Sequence, residues 1–338
     1  MTIRRIVAAG TAALAVFGVL GMAPAAAQAS SASGPTWTQQ APATSPPTLA
    51  QAAMAYDAAT GSAVLFGGIT NTGSTFGDTW TWNGTTWTQQ HPTTSPPARF
   101  DAAMAYDAAT RTVVLFGGIT KTGSTFGDTW TWNGTTWTQQ HPRTSPPARY
   151  YASMAYDAAT RTVVLFGGVN NTTGSRLGDT WTWDGTTWTK RQTKVHPCAR
   201  FSASMAYDAA TRTAVLFGGN SLCGGGGSVS GDTWTWNGRK WTQQAPATSP
   251  PARDYAVMAY DAATSTPVLF GGENGLGSLL GDTWTWNGTT WTQQAPATSP
   301  PARAYAVMAY DAATRTPALF GGCCDSSFND FDDTWTWG

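Results

Sequence analysis

Gly77–Gln90 reads GDTWTWNGTTWTQQ, and the same letters stand at Gly127–Gln140 and Gly281–Gln294, with looser copies at Gly178–Lys190 and Gly231–Gln244. Two runs of alternating Thr and Trp flank an Asn-Gly pair, a strong local signal for a hairpin with a two-residue type I′ turn. That geometry sets Trp82 opposite Thr85 and Trp80 opposite Trp87. All three tryptophans then share one face, because side chains alternate along a strand. A lone hairpin is marginal in water, so this face must be covered by further structure.

Upstream of each hairpin a second motif recurs. Met54-Ala55-Tyr56-Asp57 returns at Met104, Met154, Met205, Met258 and Met308, at spacings of 50, 50, 51, 53 and 50 residues, each followed by an apolar run such as Val114–Gly118. A period near fifty identifies a repeat fold. In the second repeat the pattern predicts a first strand over Phe100–Tyr106, a turn at Asp107–Thr110, a second strand over Thr112–Gly117, a variable loop, and the hairpin. The three prolines of His91–Pro97 mark an extended connector between repeats. Four antiparallel strands in each such repeat predict an all-β protein built from the blades of a β-propeller.

The double glycine Gly117-Gly118, the strand Asp128–Trp132, the later Trp137 and the Pro-Ala-Arg before the first strand together resemble the kelch repeat. The resemblance runs through the whole chain after its first residues. It implies a kelch-type propeller similar to the central domain of galactose oxidase, and implies little about function. The sequence carries six copies of each motif but only five downstream tryptophans, Trp87, Trp137, Trp188, Trp241 and Trp291. The sixth is supplied by Pro35–Gln40, which matches the end of the hairpin and includes Trp37. Six blades with four antiparallel strands each are therefore expected, with the N-terminal strand completing the last blade and closing the ring, so that no sheet edge stays open.

Residues 1–29 combine Arg4 and Arg5, an apolar run Ile6–Met22 and a small-residue end, as a secretory signal peptide does. The expected domains are thus a signal peptide over 1–29 and the propeller over 30–338, with a secreted, monomeric product and no membrane span after cleavage. Charged residues make up 11% of the chain and the formal net charge is zero, which disfavours nucleic acid as a partner. The expected partner is a protein or carbohydrate.

The connectors and the loops between second and third strands should share one face, and the tight turns the other. Asp57, Asp107, Asp157, Asp208, Asp261 and Asp311 are read as caps of those tight turns. The Asn-Gly-Thr triplets at Asn83, Asn133 and Asn287 match the glycosylation pattern, but their turn role accounts for them. On the loop face, Arg99, Arg149, Arg200, Arg253 and Arg303 precede the first strands, with Leu49 in the sixth place, and Phe100, Tyr150, Tyr151, Phe201, Tyr255 and Tyr305 follow them. In some kelch propellers the matching arginine lines the channel mouth and binds acidic peptides, and the resemblance allows that role for these arginines. Their regular recurrence favours a structural task instead, because binding sites depart from a repeat more often than they obey it. The aromatics complete the expected ligand-binding set.

No catalytic residue, cofactor or metal is expected. The galactose oxidase copper site needs two histidines, two tyrosines and a cysteine, whereas His91, His141 and His196 occupy one repeat position that holds alanine in other copies. Asp325, Asn329, Asp330 and Asp332 offer oxygens of the kind calcium takes, so a calcium loop stays open as an alternative although their spacing matches no known one. A binding module is the leading reading, with a polysaccharide-active enzyme or an adhesive surface protein as the alternatives. Of the four cysteines, Cys198 and Cys223 should pair, since both fall on the loop face of one blade, and Cys323 and Cys324 are adjacent and a candidate vicinal pair.

Overall fold

The computed structural model describes residues 34–223, 227–311, 315–323 and 329–338. The expected signal peptide lies outside them, as do Cys324 and Asp325 of the expected vicinal pair and acidic loop. Among the described residues there is no helix, and six four-stranded antiparallel sheets carry the fold. The first consists of Ala53–Asp57, Ser62–Phe66, Thr79–Trp82 and Trp87–Gln90, strands a to d in that order. The second, third, fourth and fifth begin at Ala103–Asp107, Ser153–Asp157, Ser204–Asp208 and Val257–Asp261 and repeat the order. The sixth takes strands a to c from Val307–Asp311, Thr316–Phe320 and Thr334–Trp337, and its fourth strand is Trp37–Gln40, paired antiparallel with Thr334–Trp337.

Strand b is apolar on both faces because it is covered on both. In the first sheet Ala63 and Leu65 pack toward Ala318 and Phe320 of the sixth, while Val64 and Phe66 pack toward Val113 and Leu115 of the second. Trp82 and Trp87 share the face turned to the sixth sheet, buried to 1% exposure or less. Each strand-d tryptophan also donates its indole N–H across to the first threonine of strand c in the neighbouring sheet. Trp137 reaches Thr79 at 2.8 Å, Trp87 reaches Thr334 at 2.8 Å, and Trp37 reaches Thr283 at 2.8 Å. The innermost strands touch in succession from the first sheet to the sixth, and Val307–Asp311 touches Ala53–Asp57.

The hairpin register differs from the expected one. Trp82 pairs with Trp87 and Trp80 with Gln89, so the loop is the four residues Asn83 to Thr86. The Asn83 side chain accepts the N–H groups of Thr85 at 3.0 Å and Thr86 at 2.9 Å, and only Gly84 has a positive φ, of 98°. Type I′ would need positive φ at both central residues, and the side-chain cap makes that unnecessary. Because the register shifts by two residues, the tryptophans keep their common face. Asp57, Asp107, Asp157, Asp208 and Asp261 cap their turns as expected, with Asp57 Oδ1 accepting from Ala59 N–H at 2.9 Å, and the turn after Asp311 lies outside the described residues.

The double glycine answers to sterics. Gly117 has φ 72°, and a Cβ there would lie 2.4 Å from the carbonyl oxygen of Arg149, where the next connector crosses the sheet end. Only glycine meets both conditions.

Candidate functional site at the channel mouth

The expected first strand Phe100–Tyr106 is broken at its second residue. Phe100 makes an isolated bridge to Ile119, Asp101 turns left-handed with φ 56°, and the strand proper begins at Ala103. The same break occurs in all six repeats, at Gln51, Asp101, Tyr151, Ser202, Tyr255 and Tyr305, with φ between 52° and 59°. A left-handed backbone is unfavourable for a residue with a Cβ, so six equivalent cases need a compensating structure. The compensation is a circuit of backbone hydrogen bonds. Asp101 N–H donates to Gln51 C=O at 2.9 Å, Tyr151 to Asp101 at 3.1 Å, Ser202 to Tyr151 at 3.0 Å, Tyr255 to Ser202 at 3.1 Å, Tyr305 to Tyr255 at 3.2 Å, and Gln51 to Tyr305 at 3.0 Å.

These six side chains and the alanines that follow them line a cavity of about 170 Å3 at the loop-face end of the inner strands. A second space of about 160 Å3 lies between the inner strands themselves, among their methionines. At the mouth the aromatic rings gather on one side. Tyr151 stacks on Phe201 at 5.7 Å between centroids and meets Tyr255 edge-on at 5.4 Å, and Tyr255 and Tyr305 lie 4.1 Å apart. Gln51 donates to the Tyr151 hydroxyl and, at 3.4 Å, to Asp101 Oδ2.

Burial governs the electrostatics. Asp101 keeps 7% exposure, and desolvation holds its carboxyl well above the usual carboxylate range although Tyr151 hydrogen-bonds to it. Desolvation also raises the Tyr151, Tyr255 and Tyr305 hydroxyls, with nearby acidic groups adding to it; Tyr255 reaches about 12. One residue outward from Tyr255, Asp254 is pushed up to about 6, first by burial and then by the charge of Glu273, against the opposing hydrogen bond from Asn220 at 3.2 Å.

The five arginines do not form a rim. Their side chains are at most 1% exposed, and each makes a two-pronged ion pair within its own sheet: Arg149 with Asp179 at 2.7 and 3.1 Å, and likewise Arg99 with Asp128, Arg200 with Asp232, Arg253 with Asp282 and Arg303 with Asp333. Arg149 also donates to Gly167 C=O at 2.9 Å, while its own N–H and C=O are held by Phe126 and Gly118 of the preceding sheet. The residue thus ties two sheets together, its side chain bonded to its own sheet and its backbone to the preceding one, and burial withdraws all five guanidinium groups from the expected binding set. Burial alone would raise the paired carboxyls, but the arginine hydrogen bonds and charge outweigh it and hold Asp128, Asp179, Asp232 and Asp282 below their ordinary value. In the first sheet, where Leu49 stands in place of arginine, the indole N–H of Trp80 has no partner, whereas Trp130, Trp181, Trp234 and Trp284 donate to the paired aspartates.

The expected aromatic set also divides. Tyr151, Tyr255 and Tyr305 line the mouth, while Phe100, Tyr150 and Phe201 occupy the bridged position just outside it. Sequence reasoning missed Gln51, Asp101, Ser202, Asp254 and Glu273, although for the first four a signal was present: in the frame from arginine to Met-Ala-Tyr-Asp, the two residues after arginine change between charged, polar and aromatic, while the residue before methionine varies only among Ala, Ser and Val. The three histidines are exposed in three separate connectors. Cys198 and Cys223 are joined, with Cα atoms 5.7 Å apart, and tie the fourth connector to the loop that follows Asn220–Ser221.

No family model and no curated protein matches the sequence. Among solved structures, YjhT, a kelch-like β-propeller, superposes with a TM-score of 0.64 over 86% of this chain and 95% of its own, at 14% identity. The chain has a β-propeller-like fold. At that identity the likeness speaks for architecture alone.

Proposed function

We propose that the protein is a secreted six-bladed kelch-type propeller, closed by its N-terminal strand, that binds a protein or glycan ligand at the mouth of its central channel. Six sheets with one strand order support the blade number, and the Trp37 contacts support closure, since they match those of the other strand-d tryptophans. The signal-like first residues, with a basic pair before an apolar run and a small-residue end, support export.

One observation carries the binding reading. Repeats that agree almost letter for letter diverge where a left-handed backbone presents side chains to a cavity, as Gln51, Asp101, Tyr151, Ser202, Tyr255 and Tyr305. Strained backbone collects at functional sites, and a repeat array acquires specificity by departing from its consensus. The test is a glycan and peptide array probed with the purified chain, followed by Tyr255→Ala and Tyr305→Ala. A hit lost in both variants at unchanged secondary structure supports the mouth; a hit indifferent to both removes the site from it.

A further inference from the structure

Resting on the mouth as the binding site, we propose that the group it accepts is an organic cation, an alkylammonium or guanidinium, held against the faces and hydroxyls of Tyr151, Tyr255 and Tyr305 and facing the Asp101 carboxyl.

The first argument is charge. At five places this chain answers a half-buried carboxylate with a fully buried arginine in two-pronged contact. Asp101 is more buried than any of those aspartates and receives only Gln51 and Tyr151, both neutral. Among the described residues none that lines the cavity is basic. Asp254 and Glu273 extend the negative side of the mouth, and Asp254 feels only the partial opposing field of Arg176. A desolvated carboxylate without a counter-ion is costly, so Asp101 holds its proton when no cation faces it, and a bound cation would offset that cost as the proton leaves.

A second argument is the aromatic wall, which attracts cations through the ring quadrupole. The chain itself uses this contact beside the mouth: the Arg176 guanidinium lies 5.1 Å from the centroid of Phe201, the ring that stacks on Tyr151, with one nitrogen donating to Ser221 C=O at 2.9 Å. The bound group would repeat on the inner rings what Arg176 does on the outer one. Size gives the third argument. A cavity of about 170 Å3 is smaller than the roughly 300–1,000 Å3 of ordinary small-molecule pockets, so it admits one head group rather than a run of sugar rings. An acidic peptide, the ligand that the kelch resemblance allows, would meet Asp101, Asp254 and Glu273 with every candidate arginine already occupied.

The experiment titrates the full mature chain by ligand-observed NMR with tetramethylammonium chloride, acetyl-arginine amide, tert-butanol as an uncharged shape mimic, acetate, and glucose. The two cations should bind and the other three should not. Tyr305→Ala should weaken cation binding about 5-fold to 30-fold, the factor that a partly desolvated cation–π contact represents. Asp101→Asn, which keeps the shape and the Gln51 contact, should weaken it while the thermal midpoint holds or rises, an outcome that simple loss of structure would not give. Affinity should increase from pH 5 to pH 8 as Asp254, whose carboxyl lies at about 6 among Asn220, Glu273, Arg176 and the Tyr255 and Tyr305 hydroxyls, becomes ionised. Tighter binding of the arginine amide assigns the cation to a basic polypeptide, and tighter binding of tetramethylammonium to a small quaternary amine. Glucose, acetate or tert-butanol binding at the mouth in preference to the cations overturns this inference and leaves the mouth as a binding site. Failure of all five probes, or cation binding unmoved by both variants, overturns this inference, whereas the binding reading falls only with an array hit indifferent to Tyr255→Ala and Tyr305→Ala.

Discussion

Trp37→Ala probes the attachment of the N-terminal strand, because the repeat supplies its own control. Trp37 is fully buried, donates to Thr283 at 2.8 Å, meets Phe270 edge-on at 5.2 Å and lies 5.4 Å from Trp337. Trp137, within one continuous sheet, donates to Thr79 at 2.8 Å, meets Phe66 at 5.3 Å and lies 5.4 Å from Trp132. Truncating a buried tryptophan costs about 3–5 kcal/mol, and an orphaned threonine hydroxyl adds about 1 kcal/mol. If the N-terminal strand is as firmly built in as any other, Trp37→Ala and Trp137→Ala should lower the free energy of unfolding in urea by the same amount, about 5 kcal/mol each. A chain begun at Ala41 loses the strand itself and bares the edge of Thr334–Trp337; it should aggregate or pair with a second copy, read by light scattering. A cost below about 1 kcal/mol for Trp37→Ala beside a full cost for Trp137→Ala would refute the reasoning, since the contacts would then be present without holding anything.

Arg149→Ala should destabilise the fold by about 3 kcal/mol, because it strands Asp179 and the Gly167 carbonyl, and Arg149→Lys should recover only part of this, both measured by urea unfolding. The lowered carboxyls of Asp128, Asp179, Asp232 and Asp282 contribute stability that is complete above the ordinary carboxylate value of 3.8 and is lost as pH falls through their depressed values, so the thermal midpoint should drop steeply on acidification below that value. Asp101 has the opposite sign: its raised carboxyl withdraws stability as pH climbs from 3.8 toward its folded value, and Asp101→Asn should raise the midpoint at pH 7 and flatten that stretch of the curve. Cys198→Ser with Cys223→Ser opens a loop of sequence separation 25 and should cost roughly 3–4 kcal/mol by chain entropy; an unchanged unfolding curve would count against the tether.

The sheets were legible because the signals that make them are local and sixfold. Alternating Thr and Trp, the apolar second strand and the proline connectors each repeat often enough to be read without ambiguity, and Pro35–Gln40 was recognisable as a displaced fourth strand by its match to the other copies. The Cys198–Cys223 pair followed from placing both on one blade's loop face. The hairpin register was not legible, because an asparagine preceding glycine serves equally as a central turn residue and as a side-chain cap, and only the pairing of Trp82 with Trp87 separates the two. Burial of the arginines depends on which aspartate lies across the sheet, some 30 positions along the chain, a relation that no local pattern states. The broken first strand was hidden for a different reason. Nothing in Phe100-Asp101-Ala102 requires a left-handed residue; the conformation is imposed by the hydrogen-bond circuit that the six repeats form together.

That circuit has a consequence for how such a chain can change over generations. At each of the six positions the backbone N–H and C=O are spent on neighbouring repeats, so a mutation there alters only the side chain that projects into the aperture. The conformation rejects proline and β-branched residues, and the six occupants, Gln, Asp, Tyr, Ser, Tyr and Tyr, include neither. Duplicating a repeat therefore copies a blank frame, and a single later codon substitution inscribes it. Under the binding proposed for the mouth, a combinatorial library confined to Gln51, Asp101, Tyr151, Ser202, Tyr255 and Tyr305 is expected to vary recognition while leaving the tryptophan and arginine framework untouched.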